Sequence, residues 1–217
     1  MTDRPPRGLV VFDFDGTLVD SAAIKHQGYY AALEDCLSAL RLLEEILASP
    51  PGDRYAVFRL LARRLATETA IDAELLARNW AARYTEFCDR AISVAPEIGG
   101  AASACSTLLA NGFSLYINSA TPEVDLRMIV NRRGMSHWFD GVYGGPCSKV
   151  ENLSHILITT GVLPAQCVVV GDGKDDYAAA KQCNCAFLPV NQVGAPQDLY
   201  GLPDQITASL SEGIQRR

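Results

Sequence analysis

Gly8-Leu9-Val10-Val11-Phe12-Asp13-Phe14-Asp15-Gly16-Thr17 decides how the whole chain is read. A short apolar run that ends in two acids and a glycine fits a buried strand stopping at a functional loop. Residues two apart on extended backbone point to the same side, so Asp13 and Asp15 face one site while Phe14 points away. Two carboxylates so close repel each other unless a cation sits between them or one takes a proton. Gly16 permits the tight turn that lets a phosphate or a metal approach the backbone. A calcium loop would need further oxygen ligands at alternating positions, which Thr17-Leu18-Val19 does not supply.

Outward from this strand the pattern turns helical, from about Ala22 to Ala95. Leu33, Leu37, Leu40, Leu43 and Leu47 recur every three or four residues and predict one amphipathic helix over Tyr29–Ala48. Ser49-Pro50-Pro51-Gly52 breaks it. Val57, Leu61 and Leu65 resume the period, and Asp72 is expected to cap a further helix carrying Leu76, Trp80, Tyr84 and Phe87. After Pro96 helices alternate with short apolar strands, the pattern of a parallel sheet covered by helices. A helix from about Glu97 should end at Asn111-Gly112, and Phe113–Asn118 should form a strand stopping at Ser119-Ala120-Thr121-Pro122. Thr121 then reads as a helix cap with Pro122 at the first helical position, and Gly134 closes that helix. Ser148-Lys149-Val150-Glu151 is a capping box whose helix ends at Gly161. Cys167–Val170 and Cys185–Pro189 complete the strands, and the tail beyond Asn191 reads as loop. The expected fold is α/β: a doubly wound, Rossmann-like parallel-sheet core from residues 1–21 and 96–217, with an all-helical insertion at 22–95. In such sheets ligands bind at the carboxyl ends of the strands.

A second acidic loop, Gly171-Asp172-Gly173-Lys174-Asp175-Asp176, closes another buried strand. A few hard oxygen ligands suit Mg²⁺, which keeps several waters and takes one or two carboxylates. Asp172, first after the strand, is the best ligand candidate. Asp176 reads as its support or as a helix cap, and Asp175 as a cap. Lys174 fails as a phosphate-loop lysine because no Ser or Thr follows it. Ser119, after a strand, and Lys149, opening a helix, offer a hydroxyl and a cation for a phosphoryl group.

Composition narrows the partners. The 217 residues are 48% hydrophobic and 20% charged, those of an ordinary globular chain rather than a disordered one. Nineteen Lys+Arg against 25 Asp+Glu give a net charge of −6, with no basic stripe, so nucleic acid is not an expected partner. No apolar run approaches the roughly 20 residues of a membrane helix, so no membrane partner is expected. Met1-Thr2-Asp3-Arg4-Pro5-Pro6-Arg7 does not read as a secretory signal, and seven scattered cysteines read as reduced thiols, so a cytoplasmic location is expected. Cys183 and Cys185 lack a second pair at zinc spacing. His137, beside Trp138, reads as packed. Oligomeric state is not legible.

These motifs, in this order, resemble those of the haloacid dehalogenase-like hydrolase superfamily: Asp13-Phe14-Asp15-Gly16-Thr17 its first motif, Ser119 its second, Lys149 its third, and Gly171-Asp172 with Asp176 its fourth. The helical block stands where the phosphoglycolate phosphatase-like and β-phosphoglucomutase-like members insert a helical cap. The resemblance implies a Mg²⁺-dependent phosphatase acting on a small phosphorylated metabolite. Asp13 would be the nucleophile that forms an aspartyl-phosphate, and Asp15 the general acid and then base. The metal would be held by Asp13, the Asp15 carbonyl and Asp172, with Asp176 in support. Gly16, Thr17, Ser119, Ala120 and Lys149 would surround the phosphoryl group. An acid at position 15 is lacking in the dehalogenases of the superfamily. A phosphomutase with the same core is the main alternative. A receiver-like phosphate-binding module is a lesser one, since it places its phosphorylated Asp on a later strand. Arg54 and His26, in the cap, are candidates for contacting the leaving group, and cap closure about linkers near Leu18–Ser21 and Pro96 is expected.

Overall fold

The structure, a computed structural model, describes residues 7–49, 51–65 and 70–215. Pro50 of the expected helix break and residues 1–6 of the stretch read for a signal lie outside them. The chain forms two compact units, Ala22–Val94 and the combination of Met1–Ser21 with Ala95–Arg217.

The first unit is helical: α1 (Ala22–Ala32), α2 (Leu37–Leu47), α3 (Arg54–Leu65) and α4 (Ala70–Val94). Its core is aromatic. Phe58 of α3 lies 6.3 Å from Trp80 and 5.9 Å from Tyr84 of α4, ring centre to ring centre, and Tyr29 of α1 lies 4.8 Å from Tyr84. The single helix expected over Tyr29–Ala48 is two helices. No glycine or proline marks the turn between them; the Leu33 amide donates to Tyr30 and the Cys36 amide to Leu33 there, and Arg83 of α4 donates to Asp35 at 2.8 Å and to Glu34 at 3.1 Å. Asp72 is not the cap of its helix. Helix α4 already includes Ala70, so Asp72 lies within its first turn, whereas Asp53 Oδ1 caps α3 by accepting from the Ala56 amide at 2.9 Å.

The second unit is a five-stranded parallel sheet in the order β3-β2-β1-β4-β5, with β1 (Leu9–Phe12), β2 (Ser114–Pro122), β3 (Gly141–Gly145), β4 (Cys167–Gly171) and β5 (Ala186–Pro189). From β1 the chain builds outward through β2 and β3, then returns to β4 on the other side. The strand order therefore reverses beside β1, and the crevice between the ends of β1 and β4 is where this architecture binds ligands. Leu9, Val11, Cys167 and Val169 alternate onto one face, where they pack with Leu153 and Ile156 of α7 (Lys149–Thr160) and with Ala179 and Ala180 of α8 (Lys174–Gln182). Helices α5 (Ala101–Ala110), α6 (Glu123–Arg132) and α9 (Leu202–Gln215) complete the unit.

Five expectations for this unit are corrected. Helix α5 starts at Ala101 rather than Glu97, because residues 96–98 run beside 18–20, with the Asp20 amide donating to Pro96 at 3.0 Å and the Ile98 amide to Leu18 at 3.0 Å. Strand β2 continues to Pro122, so Thr121 is not a helix cap. Strand β3 was hidden by its three glycines, which depress strand propensity. The tail is not all loop. Leu199, Leu202, Ile206 and Leu210 are buried at helical spacing and seat α9. His137 is exposed, although its ring lies 5.0 Å from that of Trp138.

Candidate active site

The site is built at the carboxyl ends of β1, β2 and β4. Asp13 follows β1, and its amide still donates to the Val170 carbonyl of β4 at 2.9 Å, which fixes the acid at the mouth of the crevice. The chain then turns sharply. The Leu18 and Val19 amides both donate to the Phe14 carbonyl, at 3.0 and 3.1 Å. Gly16 sits in this turn at φ 78°, and a Cβ there would lie 2.2 Å from Asp172 Oδ2, so only glycine lets the two acidic loops approach.

Lys149 enters from the other side as the first residue of α7. Ser148 and Glu151 form the expected capping box, the Ser148 hydroxyl accepting from the Glu151 amide at 3.2 Å and the Glu151 carboxylate accepting from the Ser148 amide at 2.8 Å. The Lys149 ammonium lies 3.0 Å from Asp13 Oδ1 and donates to Asp176 Oδ1 at 2.7 Å. Asp176 is buried and accepts from the Gly173 amide through its other oxygen at 3.0 Å, so it caps α8 and pairs with Lys149 at once.

Asp13, Asp172 and Asp176 converge: one oxygen from each lies within 4.8 Å of the others. Burial, and then the Asp13 charge, push the Asp172 carboxyl up to about 6 against the pull of Lys149. The same two causes push Asp176 up to about 7, opposed by Lys149 and the Gly173 amide. Burial alone would lower the Lys149 ammonium, but Asp13 and Asp176 outweigh it and hold the charge on. Asp13 Oδ1 is buried, and its contact is the ion pair with Lys149. Three acids against one ammonium leave an excess of negative charge at a largely buried site, which a hard divalent cation fits. Asp15 keeps its carboxylate out of this group.

Asp15 is held by hydroxyls instead. Ser21 donates to Oδ1 at 2.7 Å, and Thr121 donates to Oδ2 at 2.8 Å, with the Ser119 hydroxyl 3.5 Å from the same oxygen. Reading Thr121 as a cap missed this role, for which the only sequence signal was a second hydroxyl two residues after Ser119. Thr17 is fully buried and its hydroxyl makes no hydrogen bond, whereas Ala120 is exposed at the end of β2. Asp175 and Lys174 are exposed. The tail supplied two further residues that had no sequence signal: Asn191 donates to the Gly16 carbonyl at 3.0 Å and Gln192 to the Asp172 carbonyl at 2.5 Å, joining both acidic loops to the segment after β5.

Arg54 and His26 lie in the helical unit. Arg54 stacks over Tyr55 at 4.9 Å and Tyr84 at 5.6 Å, so it is an arginine ordered on aromatic rings, and His26 is exposed with its ring 5.3 Å from that of Tyr30. Among the described residues no helix is long and apolar enough to cross a membrane, and all seven cysteines are free thiols.

Residues 8–184 match the family model of haloacid dehalogenase-like hydrolases. A phosphoglycolate phosphatase of Aliivibrio fischeri is 26% identical over 185 residues, which cover 82% of this chain and 81% of that protein. Among solved structures, a protein of Haemophilus somnus designated a phosphoglycolate phosphatase superposes with a TM-score of 0.72 at 19% identity, covering 92% of this chain and 97% of the other. One of Thermotoga maritima designated a beta-phosphoglucomutase gives 0.69 at 20% identity, covering 93% and 99%.

Proposed function

Because the chain belongs to the haloacid dehalogenase-like hydrolases and brings Asp13, Lys149, Asp172 and Asp176 together at one sheet end, we propose that it is a Mg²⁺-dependent phosphatase of a small phosphorylated metabolite. The observation that supports this best is the buried ion pair of Asp13 with Lys149 beside two carboxylates whose protons are held up to about 6 and about 7. Such a site attracts a divalent cation and then a phosphate dianion. Asp13, Asp172 and Asp176 are the carboxylates available to hold the metal, with the Asp15 carbonyl as a further oxygen. When bound, Mg²⁺ supplies positive charge that offsets the repulsion between a carboxylate and the phosphoryl oxygens.

Asp13 attacks phosphorus through a carboxylate oxygen, and the phosphorus to ester-oxygen bond breaks to leave an aspartyl-phosphate. Lys149 stays protonated throughout and compensates charge on the nucleophile and on the transferring group. Ser119 and the backbone around Gly16, Thr17 and Ala120 serve as donors to the nonbridging oxygens. Asp15 gives a proton to the departing alkoxide and takes one from the water that opens the acyl phosphate. Its anchorage to Ser21 and Thr121 keeps it apart from the acids of the metal group, so the two carboxylates of the first motif are separated by role. Residues 22–94 act as the cap, with Arg54 as the candidate contact for an anionic leaving group. The free thiols support a reducing, cytoplasmic setting.

The test is phosphate release from a panel of phosphomonoesters, with phosphoglycolate first because the related curated enzymes act on it by name, and with Asp13→Asn as the blank. Release that requires Mg²⁺ and disappears in Asp13→Asn is the expected result. A folded protein that releases no phosphate but interconverts sugar-phosphate isomers is a mutase instead.

A further inference from the structure

Two buried amides behind the site belong to none of the motifs. Asn118, on β2 immediately before Ser119, and Asn152, on α7 one turn after Lys149, are 4% and 5% exposed. Asn118 Nδ2 donates to the Lys149 carbonyl at 2.8 Å. Asn152 Nδ2 donates twice, to Asn118 Oδ1 at 3.1 Å and to the Gly144 carbonyl of β3 at 3.2 Å. The network thus ties two strands to the first turn of α7, where the lysine starts.

A buried amide is unfavourable unless its donors and acceptors are matched, and a pair of apolar side chains could fill the same space without that demand. The geometry points to Asn118 and Asn152 as positioning residues for catalysis, which set where the Lys149 ammonium meets Asp13 and Asp176. This rests on the proposed phosphatase reading and adds two residues to it. Helix α7 has its own cap in Ser148 and Glu151, so the amides are not required to start the helix. What they add is lateral register. The capping box fixes the helix end along its axis, whereas the Asn118 amide fixes the Lys149 backbone against the end of β2, the strand that also presents Ser119. Gly144 takes part for a related reason: a Cβ there would lie 2.4 Å from the Thr121 carbonyl, so β3 packs closely under the β2 end. A flexible lysine on an unregistered backbone would still reach a carboxylate. It would not meet both Asp13 and Asp176 at 3.0 and 2.7 Å.

The experiment is a cycle on the full chain with Asn118→Leu/Asn152→Leu, Lys149→Ala and their combination, each followed by Tm, KM and kcat on the best ester of the panel. Asn118→Ser serves where the leucine pair does not fold. The expected result is a folded amide variant with kcat reduced at least tenfold and KM moved less than twofold, and no further fall when the same change is made on Lys149→Ala. Unchanged kcat in a folded amide variant overturns the inference, as does a fall that multiplies with that of Lys149→Ala. If the wild-type protein releases no phosphate from any ester, the phosphatase reading fails by itself and the cycle is read in Tm. Lys149→Ala should then lower Tm less in the amide variant than in the wild type, and equal lowering overturns the positioning.

Discussion

At the residue scale the site is governed by excess negative charge, and the sign of its pH dependence follows. An unfolded Asp titrates at about 3.9, whereas burial and the Asp13 charge push the Asp172 carboxyl up to about 6 in the fold. The folded state therefore keeps a proton that the unfolded state releases, and this group makes the metal-free protein less stable as pH rises from about 4 through 6. Asp172→Asn removes that penalty. In chelator, the variant should melt a few degrees above the wild type at pH 7.5, with the gain vanishing at pH 4. A gain that does not depend on pH would mean that the charge on Asp172, opposed by its burial and by Asp13, is not the cause. The acidic pair itself was legible in the sequence, because two carboxylates around one turn have few structural uses. The separate partners of its two acids were not. Asp13 goes to the lysine and Asp15 to Ser21 and Thr121 because the chain turns at Gly16, and alternation along an ideal strand does not describe a turn.

At the element scale, helix termini do the placing. Ser148, whose capping box was readable from four residues, fixes the start of α7 and so the height of Lys149 in the crevice. Ser148→Ala should cost about 1 kcal/mol, typical of a lost N-cap, measured as a lower denaturant midpoint at constant slope. It should reduce kcat less than tenfold, since Asn118 still holds the Lys149 carbonyl. Caps that depend on local hydrogen bonds are legible when both partners lie within one turn. Thr121 shows the limit of that logic. A hydroxyl followed by proline has the local look of a cap, but a carboxylate 106 residues earlier in the chain competes for it and wins. The turn after α1 shows the same limit from the other side: the heptad-like leucines run on without interruption, while the helix stops at a turn whose Asp35 pairs with Arg83, some 48 residues away.

At the scale of the whole molecule, a bound metal should report on the assembled site, because the proposed ligands Asp13, Asp172 and Asp176 follow β1, follow β4 and lie in α8, and meet only in the folded chain. A ligand that binds only the folded state at about 100 times its dissociation constant adds about 2.7 kcal/mol, and a chain of this length gains about 2–4 °C per kcal/mol. Saturating Mg²⁺ should therefore raise Tm by about 5–10 °C, and Asp13→Asn/Asp172→Asn should abolish that rise. An equal rise in the variant would place the metal elsewhere. What the sequence determined by itself was whatever repeats locally: the apolar strands β1 and β4, the helical period of residues 22–94, the capping box, and the order of acids, hydroxyl and lysine along the chain. Only the tertiary structure decided which acids converge, that Thr121 serves Asp15, that a glycine-rich segment becomes β3, and that Asn118, Asn152, Asn191 and Gln192 brace the site. Periodicity and capping depend on neighbours within a turn, and they can be read along the chain. Hydrogen bonds between segments scores of residues apart exist only after the sheet has set their register.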